Sequence, residues 1–120
     1  MTKKVLIVCP DMTFWCLLFR AVEDLEETEG QRGFSFNDGL NALEREKPDL
    51  VVTQIDYRDE GRFLPFIEKL EELKIYSVIV ICNCLNPLLA NIPGQRVTLQ
   101  WLGCGLIDKI EAAAREFLGQ

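Results

Sequence analysis

The chain has 120 residues, 48% hydrophobic and 27% charged, a balance that suits one folded domain and excludes a disordered segment. Its net charge of −6 argues against a nucleic-acid partner, since the basic residues are dispersed apart from Lys3-Lys4 and form no phosphate-binding cluster. The absence of histidine removes the usual general base and the commonest zinc ligand, which lowers the prior for an enzyme without excluding one; the expectation is no enzyme, no metal and no other cofactor.

In chain order, Lys4 to Val8 reads as the first strand. A helix follows from near Thr13, its expected cap, to Glu27, with Phe14, Leu17, Leu18, Ala21, Val22 and Leu25 on one stripe. Residues 26–33 are polar and contain glycine, which predicts a turn. Phe34-Ser35-Phe36 alternates as a short strand, and Asn37-Asp38-Gly39 opens a helix that ends before Pro48. Asp49 to Ile55 is a third strand whose continuous apolar start suits burial on both faces. Phe63 to Leu73 is helical, with Pro65 placed in the first turn, where a missing N–H is tolerated. Ser77 to Cys82 is a fourth strand. Pro87, Pro93 and Gly94 make any helix between Asn83 and Arg96 short or broken. Val97 to Trp101 is a fifth strand, and Leu106 to Leu118 is the last helix.

Strands that alternate with helices predict a parallel sheet covered on both sides. With right-handed crossovers the leading expectation is an α/β fold over residues 1–120, one domain, with a five-stranded sheet in the flavodoxin-like order 2-1-3-4-5. In such a sheet a site forms beside the switch point at the carboxyl ends of the strands. Cys9, Pro10, Gln54, Asp56, Cys82 and Cys84 are expected to gather there.

Lys4-Val5-Leu6-Ile7-Val8, Lys47-Pro48-Asp49-Leu50-Val51-Val52 and Asp38-Gly39-Leu40-Asn41-Ala42-Leu43 resemble the framework of receiver domains of two-component response regulators. The resemblance spans nearly the whole chain and implies bacterial signalling by phosphoryl transfer to an aspartate. It implies two acids after the first strand that hold magnesium, an acceptor aspartate on the third strand, a hydroxyl on the fourth and a lysine on the fifth. Here the two acid positions fall on Cys9 and Pro10, with Asp11 as a displaced acid. The acceptor position falls on Gln54, whose amide is not a phosphoryl acceptor. Cys82 stands at the hydroxyl position. The lysine position falls on Leu99, or on Gln100 with a one-residue shift. The expected function is therefore an atypical receiver acting as a phosphorylation-independent interaction module. The alternative is a working phosphoacceptor that uses Asp56 or Asp11.

Cys9 after the first strand also resembles the phosphocysteine loop of sugar-phosphotransferase IIB proteins, a third reading. Such a loop wraps successive N–H groups around phosphate, whereas Pro10 removes one donor and Met12, Phe14 and Trp15 are bulky. A Cys9–Cys82 disulfide is not expected, because strand three separates the two by roughly 9–10 Å.

The partner is expected to be another protein or a second copy. Trp15 and Phe19 lie off the inward stripe and are neighbours at helical spacing, so a solvent-facing pair is one expectation and cover by a neighbouring loop or the last helix is the other. Trp101 is a second interface candidate. No apolar run reaches the roughly 20 residues of a membrane helix. Lys3-Lys4 leads into a short strand rather than a signal peptide, and the five cysteines are an odd number, so a reducing cytoplasm and thiols are expected.

Overall fold

The computed structural model describes residues 2–56, 60–82, 96–100 and 105–119, and for residues 56, 60–62, 81, 82 and 96–100 it describes the backbone only. The strands are β1 (Lys3–Val8), β2 (Thr28–Gly33), β3 (Leu50–Asp56), β4 (Tyr76–Cys82) and β5 (Arg96–Gln100). The described helices are α1 (Met12–Val22), α2 (Phe36–Arg45), α3 (Glu60–Glu72) and α4 (Leu106–Leu118). All pairings are parallel and the order is β2-β1-β3-β4-β5, as the alternation of elements predicts.

The apolar runs set this arrangement. Val5, Leu6, Ile7 and Val8 are fully buried, and β1 therefore belongs in the centre of the sheet, covered on both faces. Its side chains alternate between two cores. Val5 and Ile7 join Val52, Val78 and Val80 under α1 and α4, where Leu18 and Ile110 seal the layer. Leu6 and Val8 join Val51, Ile55 and Ile79 under α2 and α3, against Phe36, Phe63 and Phe66. Burying each of these larger side chains contributes about 1.5–3 kcal/mol. The second layer closes tightly at Gly39, where a Cβ would stand 2.8 Å from the Phe66 ring and 3.0 Å from Val8.

Three local expectations change. First, α1 ends at Val22 and not at Glu27, and β2 occupies Thr28–Gly33, where a turn is predicted. Glu27 takes a left-handed φ of 50° that redirects the chain. The predicted strand at Phe34-Ser35-Phe36 is instead the start of α2: Ser35 caps it, accepting from the Asp38 N–H at 3.0 Å, and Phe36 is its first residue. Second, the cap of α1 is Asp11 rather than Thr13; its carboxylate accepts from the Phe14 N–H at 3.0 Å. Third, α3 begins at Glu60, so Pro65 sits inside the helix rather than in its first turn. The predicted short or broken helix between the fourth and fifth strands lies outside the described residues. The bounds of α4 are those predicted.

Candidate functional site

The register carries β1 and β3 to a common end. Val8 lies beside Gly33 on one side and Thr53 on the other, and Gln54 lies beside Val80. Thr53 donates its hydroxyl to the Val8 carbonyl at 2.8 Å, and Cys9 N–H donates to the Gly33 carbonyl at 3.0 Å. These bonds fix the chain where β1 ends, so Cys9 is held at the carboxyl edge of the sheet.

There the structure brings together two of the predicted site residues. The Cys9 thiol is fully buried and lies 3.4 Å from the Gln54 amide oxygen. It also lies 3.4 Å from the Asp11 carbonyl oxygen. Gln54 itself is only 8% exposed. A thiol is a weak donor and an amide carries no charge, so this contact supplies no carboxylate where a cation site requires converging ones. Pro10 and Asp11 are exposed beside it. Asp11 stays at the mouth because its carboxylate caps α1, a task that accounts for one oxygen and anchors the side chain to the helix end. Among the described residues no three His, Cys, Asp or Glu side chains are grouped to hold a metal ion.

Asp56 and Cys82 are opposite one another at the ends of β3 and β4, and Leu99 lies opposite Val80 on β5, each known here by its backbone alone. Cys84 and Trp101 lie outside the described residues.

The solvent-facing aromatic pair does not form. Trp15 is 4% exposed and donates its indole N–H to the Ile7 carbonyl at 3.2 Å. Phe19 stacks on it with centroids 5.2 Å apart and is itself half-buried. The cover comes from β2 and the residue after it: Phe34 packs at 6.0 Å and the Arg32 guanidinium lies 4.6 Å above the Trp15 ring. The sequence reading missed Arg32 and Thr53. A threonine inside an otherwise apolar run was the available sign of the second; no local sign marks the first, since it acts across an unrecognised strand.

In sequence, the chain matches no protein-family model and no curated protein. In structure it is similar to the receiver domain of a putative LuxO repressor protein from Vibrio parahaemolyticus, with a TM-score of 0.79 at 16% identity over 99% of this chain and 92% of that one. The chain has the receiver-domain fold. A response regulator receiver protein from Sinorhizobium medicae gives a TM-score of 0.81 at 12% identity, covering 98% of this chain and 95% of that one. The receiver domain of the PhyR response regulator from Erythrobacter litoralis gives 0.75 at 17% identity, covering 98% and 91%. At such identities the likeness is one of fold, and the chemistry has to be read from this chain's own residues. Among the described residues no helix is long and apolar enough to cross a membrane.

Proposed function

We propose that this chain is a receiver-fold module of signal transduction that works through protein contacts and without an aspartyl phosphate. The observation that carries the reading is the Cys9–Gln54 contact: a buried thiol against a buried amide at the sheet edge where the fold would place magnesium ligands and an acceptor. Neither group can accept a phosphoryl group as a carboxylate does, and neither gathers a divalent cation. No catalytic residue is assigned. The phosphocysteine reading is disfavoured by the same burial, because an attacking thiolate needs access and a cradle of N–H donors, and Pro10 supplies none.

The test is a titration of the full chain with magnesium and beryllofluoride, followed through its amide resonances. The proposal expects no saturable shift at Cys9, Gln54 or Asp56. Saturation centred on Asp56 or Asp11 would replace it with a working phosphoacceptor that uses a displaced carboxylate.

A further inference from the structure

Three aromatic rings meet on the side of β2 that faces α1. Phe19 stacks on Trp15 with centroids 5.2 Å apart and the planes 14° from parallel, and Phe34 packs on Trp15 at 6.0 Å. Gly30 leaves room for this group, since a Cβ there would stand 2.9 Å from the Phe19 ring. What lies over the rings is a cation. The Arg32 guanidinium carbon is 4.6 Å from the Trp15 centroid and 5.9 Å from that of Phe34. An aromatic face is electron-rich, so a guanidinium lying on it is held by its charge as well as by its contact area.

The rings alone hold Arg32 in this place. It is exposed, and it makes no ion pair among the described residues. The rings in turn have other supports: the Trp15 indole is tied to the Ile7 carbonyl and backed by Phe19, while Phe34 stays 38% exposed. The surroundings favour positive charge. Asp11 and Glu23 are exposed at the two ends of α1, with Glu23 one turn beyond Phe19, and the chain carries a net charge of −6. Arg20, the cation of α1, leaves the helix about 100° round from Phe19.

We infer that the Trp15–Phe34 surface is a guanidinium-binding site, closed by the chain's own Arg32 and opened when an arginine side chain of a partner protein takes its place. The resident group identifies the occupant. A planar, delocalised, weakly hydrated cation stacks on the rings at little desolvation cost, whereas a lysine ammonium is compact and strongly hydrated. Arg32 is a tethered competitor, so affinity for the incoming arginine falls in proportion to the fraction of chains in which Arg32 stands aside. This rests on the reading of the chain as an interaction module but not on its lack of phosphoryl chemistry. The magnesium and beryllofluoride titration addresses the latter alone, so the two failures are distinguishable.

The probe is the peptide acetyl-Ala-Arg-Ala-amide, titrated into the labelled full chain, with its neutral citrulline and its lysine counterparts alongside. In the native chain, saturable shifts are expected at the Trp15 and Phe34 rings, together with movement of the Arg32 Nε–H resonance as that side chain is displaced. Arg32→Ala and Arg32→Gln should each bind the arginine peptide about tenfold more tightly than the native chain. The lysine peptide should bind more weakly and the citrulline peptide not at all. The Trp15 indole N–H resonance reports whether each variant keeps its bond to Ile7, and Arg32→Gln retains the apolar stem should Arg32→Ala fail to fold. Equal affinity in the native chain and the Arg32 variants, citrulline binding as well as arginine, shifts centred away from Trp15 and Phe34, or no saturable binding by a folded Arg32 variant would each overturn the proposal.

Discussion

The middle of β1 and the residue just beyond its end meet different demands. Val5 to Val8 are buried between two helical layers, and any receiver-like sheet would need apolar side chains there whatever its chemistry. Cys9 is equally buried but sits on the carboxyl edge, where the fold ordinarily places functional groups. Its partner Gln54 stands in the same relation to Leu50, Val51 and Val52. The interior along β1 is apolar throughout, and the edge holds a thiol in contact with an amide oxygen. The contrast shows that packing tests volume and polarity at each position, whereas chemistry tests identity at only a few.

The largest effect should come from the interior. Phe66→Ala removes a fully buried ring that fills the α2–α3 layer against Gly39 and Phe36, and should cost about 3–5 kcal/mol in urea unfolding. A loss below about 1 kcal/mol would show that this layer collapses freely.

The edge should respond more moderately and in a pH-dependent way. Gln54→Asp places a carboxylate within reach of the Cys9 thiol at a nearly enclosed position, and should destabilise the chain by about 2 kcal/mol at neutral pH. Burial raises such a carboxyl's pKa above its unfolded value, so the deficit should shrink as pH falls and the group protonates. Equal stability at neutral pH, with magnesium restoring or exceeding the native value, would mean that the edge still recognises a cation.

Asp11 separates a structural role from a chemical one. Asp11→Ala should cost about 1 kcal/mol through loss of the α1 cap, while Asp11→Asn, which keeps the acceptor oxygen, should cost a few tenths. If both variants lost stability equally, charge rather than capping would be what Asp11 supplies.

These positions also show what the chain discloses by itself. β1, β3 and β4 were legible because a strand buried on both faces leaves a continuous apolar run. The bounds of α4 were legible because Leu106, Ile110, Ala113 and Phe117 keep helical spacing; the structure buries the first three together with Leu118, and Phe117 packs beside them half-buried. β2 was not: Thr28-Glu29-Gly30-Gln31-Arg32-Gly33 is an edge strand, half solvated, with two glycines, and its ladder to β1 defines it rather than its own preferences. The error propagated to Trp15. On the helix alone its side faces away from the main stripe; only with β2 and Phe34 in place does that side become interior. The position of Cys9 and Gln54 at the carboxyl edge was readable from alignment to the framework, but the hydrogen bond between them and the capping role of Asp11 depend on three-dimensional placement.

The smallest expected effect lies far from the edge, at Lys4. Its ammonium is stabilised by the hydrogen bond to Glu46, opposed by desolvation and helped by the charges of Glu46, Glu29 and Asp49, so its pKa is raised above the ordinary 10.5. A cation held more tightly when folded adds stability fully below the unfolded pKa and loses it as pH rises through the folded one. The difference in urea midpoint between the native chain and Lys4→Met should therefore be small, constant through neutral pH, and vanish only in the alkaline range above the ordinary lysine value. A difference that vanished near neutrality would assign the effect to another group.

The central proposal is that the carboxyl edge does not accept a phosphoryl group. Incubating the full chain with acetyl phosphate and magnesium and reading its intact mass under acid-quenched conditions tests this directly. The account predicts an unmodified chain at all times; addition of one phosphoryl group, lost on hydroxylamine treatment and mapped to Asp56 or Asp11, would contradict it.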